Sequence, residues 1–230
     1  MSYNSCGFGL EKQDFIKEVV NVICADKLTI LCNQENFLLR NNVYKIQQTL
    51  PSYQLFIKPA LSNGHDRGRA KNGMFVAIPD CLKSQVEDIS PDFYRIQVLK
   101  IKLKSSSFLL VNSYFPCDTQ TQGKEDPELL ELLDIIKHSI ERAGCEAVLW
   151  AGDINADFLR GTNHTDRVQE TVDELNFFTA WDEYDIDFTS VHETGNTTSV
   201  SKIDHFFMSR SLKEQVDDAG VIQYMLSSTH

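Results

Sequence analysis

Short apolar stretches that are typical of strands alternate along the chain with longer stretches in which apolar residues recur at helical spacing. The clearest helical stretch is 127–142, which has leucines and isoleucines along one stripe and Gly144 just past its end. Further helices are predicted over 11–24, 40–50 and 166–175. Strands are predicted over 28–32, 54–57, 74–78, 94–103, 108–114, 147–151, 202–208 and 219–225.

The order of these elements narrows the fold class. Segments 94–103 and 108–114 are separated by a short polar turn, which predicts an antiparallel hairpin. Helices separated by hairpins favour a mixed α/β sandwich over a doubly wound parallel sheet, and leave the number of layers open. The sequence contains neither an internal repeat nor a linker rich in Gly, Pro or Ser, so a single domain over 1–230 is expected.

Composition adds a constraint on partners. The chain has 22 Lys and Arg against 33 Asp and Glu, a formal net charge of −11. This charge argues against indiscriminate electrostatic binding of nucleic acid and is compatible with carboxylates gathered around a cation. With no apolar run of about 18 residues, no membrane partner is expected. The polar N-terminus and six scattered cysteines favour an intracellular protein with free thiols.

Polar clusters follow two of the predicted buried strands. Glu35, after 28–32, is either a metal-ligating carboxylate or a helix-capping or solvated acid. Asp153 and Asn155, after 147–151, can both face one pocket. There a carboxylate accepts a proton from water, and an amide donates to developing negative charge. An ordinary Asx-turn explains the same pair equally well.

Three more side chains stand at strand or chain ends. Asp204 could orient a histidine from elsewhere in the chain, or be a strand-edge acid paired with a nearby Lys or Arg. Tyr114, two residues before Pro116, is by itself more typical of a packing aromatic. His230 ends the chain, where side chains are commonly frayed.

Taken together and in order, these clusters resemble the endonuclease/exonuclease/phosphatase superfamily. They are most similar to the apurinic-endonuclease-like domain of non-LTR (LINE-type) retrotransposons. The matching elements are Tyr3-Asn4, Asn33-Gln34-Glu35, Asn112-Ser113-Tyr114-Phe115-Pro116, Gly152-Asp153-Ile154-Asn155, Ser201-Lys202-Ile203-Asp204-His205 and His230. The resemblance implies a four-layered α/β sandwich, with two mixed, mostly antiparallel β-sheets face to face and helices outside.

The resemblance also implies a divalent cation, Mg²⁺ with Mn²⁺ as an alternative. Glu35 would be its principal ligand, with Asn4 close to it. Hard cations prefer oxygen ligands, and Mg²⁺ commonly needs only one or two carboxylates.

Catalytic roles follow from the same resemblance. Asp153 would orient or deprotonate the attacking water, while Asn155 and Tyr114 would steady the phosphate. His230 would stabilise the charged transition state, with Asp204 behind it.

Two residues depart from the pattern of the family. Thr229 stands where the family usually has an aspartate before the histidine, and Cys117 stands where an asparagine usually follows Pro116. The family's chain also continues beyond its histidine. We therefore expect a domain excised from a longer retrotransposon polyprotein that includes a reverse transcriptase.

Double-stranded DNA is the expected partner. The loop 65–71 is basic and glycine-containing, although a solvated surface loop is the alternative, and the segment 189–199 resembles a hairpin that family members lay against the minor groove. The predicted DNA-contacting residues are Arg67, Arg69, Lys71, Arg160, Arg167, Thr189, Asn196, Thr197 and Ser201.

The resulting hypothesis is an Mg²⁺-dependent endonuclease that nicks one DNA strand. The 3′-hydroxyl would prime reverse transcription during retrotransposition, in the nucleus after synthesis in the cytoplasm. A phosphatase or phosphodiesterase of the same superfamily and a catalytically weak DNA-targeting module are the alternatives.

Overall fold

The computed structural model describes residues 1–22, 29–62, 70–118, 126–184, 186–194 and 197–221. In chain order its elements are β1 (Ser2–Asn4), α1 (Leu10–Val22), β2 (Leu31–Gln34), α2 (Tyr44–Thr49), β3 (Tyr53–Lys58), β4 (Met74–Pro79), β5 (Val86–Asp88), β6 (Ile96–Lys102), β7 (Ser107–Tyr114), α3 (Pro127–Ala143), β8 (Ala147–Asp153), α4 (Asn163–Glu174), β9 (Phe177–Thr179), β10 (Ser190–Thr194), β11 (Thr197–Ser201) and β12 (Asp204–Ser209).

The strands form two sheets and a separate hairpin. The first sheet has the order β1-β2-β4-β3, in which only β1 and β2 run parallel. The second has the order β5-β6-β7-β8-β12-β9, in which only β7 and β8 run parallel. Strands β10 and β11 pair only with each other within the described part of the chain.

Successive side chains of a strand point to opposite faces of its sheet, and the central strands here carry apolar side chains on both faces. One apolar face of each sheet packs against the other sheet. Cys32, Val76 and Ile78 of the first sheet join Leu99 and Leu110 of the second in the layer between the sheets.

Their neighbours along the strands point outward. Leu31 and Phe75 pack with residues of α1 and α2, while Val111 and Trp150 pack with residues of α3 and α4. The order of layers is therefore helix, sheet, sheet, helix. The prediction of a four-layered α/β sandwich is confirmed.

A chain of buried amides crosses between the sheets. Nε2 of Gln34 in β2 donates to Oδ1 of Asn112 in β7 at 2.6 Å, and Nδ2 of Asn112 donates to Oε1 of Gln97 at 3.0 Å. All three side chains are at most 2% exposed. Because buried amides need such partners, these contacts hold the two sheets in one alignment.

The predicted helices are confirmed over the described residues with shifts at their ends, and positions 23–24 of the first lie outside the described residues. The predicted helix 40–50 begins with a 3₁₀ turn, Arg40–Asn42, before α2. Strands β6 and β7 form the predicted antiparallel pair. The predicted strands 28–32 and 147–151 both end too early, since β2 runs to Gln34 and β8 to Asp153. Residues 219–221 are not in a strand, and the rest of the segment predicted over 219–225 lies outside the described residues. No helix among the described residues is long and apolar enough to cross a membrane.

Candidate active site

Three neighbouring inner strands of the second sheet place polar residues side by side at one edge of the sheet, the edge formed by the strand ends. Tyr114 ends β7 and pairs with Asp153, which ends the parallel strand β8. Asp204 begins the antiparallel strand β12 and pairs with Asp153 from the other side. The sheet topology therefore brings together three of the predicted site residues that lie far apart in the sequence.

Glu35 reaches this edge from the first sheet. It follows β2 directly and has a left-handed backbone with φ of 54°, a conformation that costs free energy in a non-glycine residue. The hydroxyl of Tyr114 donates to its Oε1 at 2.8 Å, and Nδ2 of Asn4 donates to its Oε2 at 3.0 Å. Both oxygens of the carboxylate are therefore oriented by neighbouring side chains.

Asn4 connects the two sheets at the site. Besides its bond to Glu35, its Nδ2 donates to Oδ2 of Asp153 at 2.6 Å, and its Oδ1 accepts from the backbone N–H of Cys6 at 2.9 Å. One amide thus holds two carboxylates close to each other. Without a bound cation, two charged carboxylates at this distance destabilise the fold, since like charges repel when little water surrounds them.

Asn155 lies directly beyond β8. Its backbone N–H donates to Oδ1 of Asp153 at 3.2 Å, as in an Asx-turn, and its φ is 52°. Its Nδ2 donates to the carbonyl of Phe115 at 2.9 Å. An amide nitrogen carries two N–H groups, so this contact leaves a second one that can donate to a ligand.

Burial dominates the electrostatics of the paired aspartates. Asp153 is only 3% exposed. Burial raises its pKa above the ordinary value, and the nearby charge of Asp204 raises it further. Burial also raises the pKa of Asp204, while a hydrogen bond from the hydroxyl of Thr189 lowers it. A bound cation would reverse these shifts, because it favours the charged form of both groups.

Tyr114 is held as a hydrogen-bond donor. Burial raises the pKa of its hydroxyl above the ordinary value, and the bond to Glu35 raises it further. The phenol therefore keeps its proton throughout the physiological range.

A cavity of about 580 Å³ opens at this end of the sandwich. Its polar wall includes Asn4, Glu35 and the two aspartates, and its apolar wall includes Trp181 and Phe206. An apolar cleft with a few polar groups converging on one side is typical of a ligand-binding site. In the described part of the chain, no cluster of three or more His, Cys, Asp or Glu residues is arranged to hold a metal ion.

His205 follows Asp204 and is a buried histidine of the core. Its Nε2 lies 2.8 Å from the carbonyl of Ala156 and 3.0 Å from that of Lys202, and its ring stacks on Phe207. Burial lowers the pKa of His205 to about 4, so the ring is neutral at physiological pH.

The predicted DNA-contacting residues lie in different surroundings. Arg67, Arg69 and Asn196, together with the predicted catalytic His230, lie outside the described residues. The backbone of Lys71 forms a bridge with Leu61.

Two further predicted arginines, Arg160 and Arg167, have protein partners. Nε of Arg160 lies 3.2 Å from Asp157, and its Nη2 donates to the carbonyl of Val200 in β11 at 3.4 Å. Arg167 pairs with Glu170 at 2.8 Å on the exposed face of α4. Arg160 therefore links the loop after β8 to the hairpin.

The hairpin strands carry the remaining predicted contacts. Thr197 is exposed in β11, and Ser201 ends β11 opposite Ser190. Thr189 precedes the hairpin, and its Oγ1 accepts from the N–H groups of Ile203 and Asp204, each at 3.0 Å. Its hydroxyl is therefore committed to the start of β12.

Two contacts at the site were not expected from the sequence. Nε1 of Trp181 donates to the carbonyl of Asp204 at 2.8 Å, and Arg95 packs on the ring of Tyr114. Each contact joins segments about twenty residues apart in the sequence, and no local spacing pattern reports a contact of this kind.

Neither a family model nor a curated protein matches the sequence. Solved structures do match. The endonuclease domain of TRAS1, a telomere-specific non-LTR retrotransposon, is 19% identical, with a TM-score of 0.62 over 94% of this chain and 87% of that one. The AP endonuclease LMAP from Leishmania major is 16% identical, with a TM-score of 0.69 over 92% and 78%.

A third match is TDP2 from D. rerio, solved in complex with a single-strand DNA product. It is 17% identical, with a TM-score of 0.60 over 90% of this chain and 82% of that one. An endonuclease/exonuclease/phosphatase family protein from Bacteroides thetaiotaomicron is 15% identical, with a TM-score of 0.58 over 91% of this chain and 82% of that one. The chain has the four-layered fold of the endonuclease/exonuclease/phosphatase proteins.

Proposed function

We propose that this chain is an Mg²⁺-dependent phosphodiester hydrolase that nicks one strand of DNA and leaves a 3′-hydroxyl. The observation that carries the proposal is the contact of the Asn4 amide with both Glu35 and Asp153, at the open end of the sandwich. Two carboxylates held together in a cleft need a positive partner, and a divalent cation would satisfy that need.

The donor set fits a hard divalent cation. Glu35 offers two carboxylate oxygen atoms, and Mg²⁺ is commonly held by one or two carboxylates with water completing its shell. Asn4 would orient this carboxylate through its Nδ2, since its Oδ1 accepts from the N–H of Cys6. Such an ion, when bound, supplies positive charge to the phosphate as negative charge develops there. Mn²⁺ has a similar ligand preference and is the natural substitute.

The residues of the chain perform the proton transfer and the orientation. A water oxygen bonds to phosphorus, and Asp153 accepts the proton of that water. The bond from phosphorus to the 3′ oxygen breaks, and the released 3′ oxygen takes up a proton from solvent to become the 3′-hydroxyl. Burial makes Asp153 a stronger base than an exposed carboxylate. The free N–H of the Asn155 amide donates a hydrogen bond to a phosphate oxygen. Tyr114 donates its one hydroxyl proton to Glu35, so it steadies the phosphate through the orientation of that carboxylate. His230 would stabilise the transition state, with Asp204 behind it.

DNA is favoured over a small phosphomonoester as the substrate. The fold is shared with the endonuclease domain of TRAS1, with the AP endonuclease LMAP and with TDP2 in complex with a single-strand DNA product. The hairpin of β10 and β11 stands beside the cleft, since Val191 of β10 lines the same cavity as Asp204. A projecting hairpin gives an extended polymer a surface to lie against, which a small substrate does not require.

The likeness to a retrotransposon endonuclease supports a more specific biological role. The 3′-hydroxyl would prime reverse transcription by a reverse transcriptase in the same parent polyprotein. This proposal places the activity in the nucleus, after synthesis in the cytoplasm.

A plasmid assay tests the proposed function. Supercoiled DNA is incubated with Mg²⁺ and either the parent chain, Glu35→Gln, Asp153→Asn or the control Glu141→Gln. Glu141 is an exposed carboxylate on α3, so its substitution removes the same charge away from the cleft. We expect open circles from the parent and the control, and a loss of about 100-fold or more in rate for the two site variants.

The alternatives predict different outcomes. Hydrolysis of small phosphomonoesters with intact plasmid would favour a phosphatase of the same superfamily. Mg²⁺-independent DNA binding without cleavage would favour a catalytically weak targeting module. Equal nicking by the parent and both site variants would show that the activity does not reside at this site.

A further inference from the structure

One residue, Arg95, contacts Tyr114 at three places. The guanidinium carbon of Arg95 lies 4.9 Å from the centroid of the Tyr114 ring, and Nη1 of Arg95 donates to the carbonyl of Tyr114 at 3.3 Å. The backbone N–H of Tyr114 in turn donates to the carbonyl of Arg95 at 3.0 Å. Tyr114 is therefore held at its ring face, its carbonyl and its amide by one residue.

Arg95 is itself fixed from the opposite side. Its Nε lies 2.9 Å from Oε1 of Glu128 and its Nη2 lies 3.3 Å from Oε2, a two-point contact that matches the planar guanidinium. Glu128 stands in the first turn of α3, where the side chain of Asp126 caps its backbone N–H. Tyr94 also donates to Glu128 and stacks beneath the same guanidinium.

These contacts form one continuous path from α3 to the cleft, through Glu128, Arg95, Tyr114 and Glu35. The side chain of Arg95 is only 12% exposed, so it is not presented to a phosphate in solvent. A tyrosine turns freely about two side-chain bonds unless its ring is packed. The ring on which Arg95 packs carries the hydroxyl that donates to Glu35 at 2.8 Å.

We infer that Arg95, held by Glu128, is a positioning residue that sets the Tyr114 hydroxyl against Glu35 and so orients this carboxylate in the cleft. The inference rests on the proposed function for its catalytic consequence. It does not rest on it for the contact with Glu35, which can be tested in the absence of DNA.

The decisive experiment is a double-mutant cycle with Arg95→Lys and Tyr114→Phe. Lysine keeps the positive charge but loses the flat stacking surface and the two-point contact with Glu128. If Arg95 acts through the hydroxyl, Arg95→Lys lowers the kcat for plasmid nicking about 10-fold with little change in KM. In the Tyr114→Phe background the same change has less than about a twofold effect, because the hydroxyl is already absent.

A matched control is available at another arginine that lies over an aromatic ring. The guanidinium carbon of Arg210 lies 5.8 Å from the centroid of Phe178, and neither residue lines the cleft. Arg210→Lys makes the same chemical change and leaves kcat unchanged. Unfolding curves of all variants show whether any loss of kcat follows from a loss of folded protein.

Titration calorimetry with Mn²⁺ alone provides a readout that does not depend on nicking. Arg95→Lys weakens Mn²⁺ binding several-fold in the parent, because Glu35 is less well oriented, and has no effect in the Tyr114→Phe background. Equal losses in the two backgrounds, in kcat or in Mn²⁺ affinity, overturn the inference. A parent that fails to nick DNA but shows the calorimetric coupling overturns the proposed function and retains the positioning role.

Discussion

Asp153, the last residue of β8, lies directly opposite Asp204, the first residue of β12, as paired residues of adjacent antiparallel strands. Both carboxyl groups have a raised pKa because they are poorly solvated, and that of Asp153 is raised further by its neighbour. In the metal-free protein this pair opposes folding wherever both groups are charged.

Replacing Asp153 with asparagine is therefore expected to stabilise the metal-free protein at high pH. A raised folded-state pKa means that the folded protein holds a proton that the unfolded chain has released. The contribution to stability is full below the unfolded pKa of about 4 and is lost as the pH rises through the raised value. Asp153→Asn should gain about 1–3 kcal/mol in the free energy of unfolding near pH 8 and almost nothing near pH 4.

Urea unfolding in the presence of a chelator measures this gain, with the exposed Asp80→Asn as a control. A constant difference between parent and variant across the pH range would show that the two aspartates are not desolvated as the structure indicates. Adding Mg²⁺ should stabilise the parent near pH 8 more than it stabilises Asp153→Asn.

Thr189 offers a second test. Loss of a direct DNA contact would raise the KM for DNA, whereas loss of the contacts seen in the structure would lower kcat. Its hydroxyl accepts from two N–H groups at the start of β12 and donates to Asp204. Thr189→Val leaves these groups unpaired and should lower kcat about 10-fold without changing the KM for DNA. Thr189→Ser keeps the hydroxyl and should retain most of the activity. A raised KM in the valine variant, with unchanged kcat, would instead support a direct contact with DNA.

Gly152 provides a test of the backbone that carries Asp153. A Cβ atom at this position would lie 2.0 Å from the carbonyl oxygen of Ser113, in the neighbouring strand. Gly152→Ala must push β7 and β8 apart, and we expect a loss of about 3 kcal/mol or more in the free energy of unfolding. Gly9→Ala is the control, since a Cβ there meets no atom within 4 Å. Similar unfolding midpoints for the two variants would contradict the close approach of these strands.

The predicted basic loop can be tested through salt dependence. Replacing Arg67, Arg69 and Lys71 with glutamine should weaken DNA binding and reduce the slope of log K against log salt by about 2–3, if all three neutralise phosphates. Lys83→Gln, Lys102→Gln and Lys104→Gln together make the same change in net charge. Lys102 and Lys104 lie beside the turn between β6 and β7, at the opposite end of the sheet from Tyr114.

Binding isotherms on one DNA duplex at several salt concentrations compare the two triple variants. Equal slopes for both triple variants would remove the loop from the interface.

The acidic residues at the strand ends could be predicted from the sequence, because each stands next to an apolar run that marks a strand. Glu35, Asp153 and Asp204 stand beside strands whose apolar runs are visible, and the topology then places them together. The ends of β2 and β8 were misplaced because Gln34 and Asp153 are polar, although the first is buried in an amide network and the second in the site. A polarity pattern alone cannot distinguish a satisfied buried polar residue from an exposed one.

Other features lay beyond sequence pattern for a different reason. Strands β1, β5 and β9 have three residues each, which is too short for any periodicity, so Asn4 was indicated only by the resemblance. The roles of Arg95 and Thr189 arise from contacts between segments whose separation has no fixed relation to geometry. The roles assigned to His230, Arg67 and Arg69 remain predictions.

The amides that cross between the sheets affect how the protein loses activity on heating. Asn4 and Glu35 belong to one half of the sandwich, whereas Tyr114 and Asp153 belong to the other, so the site exists only while the halves are in register. If one sheet slid past the other by roughly 1 Å, these hydrogen bonds would be lost without breaking a strand pair. The rate of DNA nicking should thus decline on heating before circular dichroism detects any loss of secondary structure. The activity would then report movement of one sheet relative to the other while both sheets are still folded.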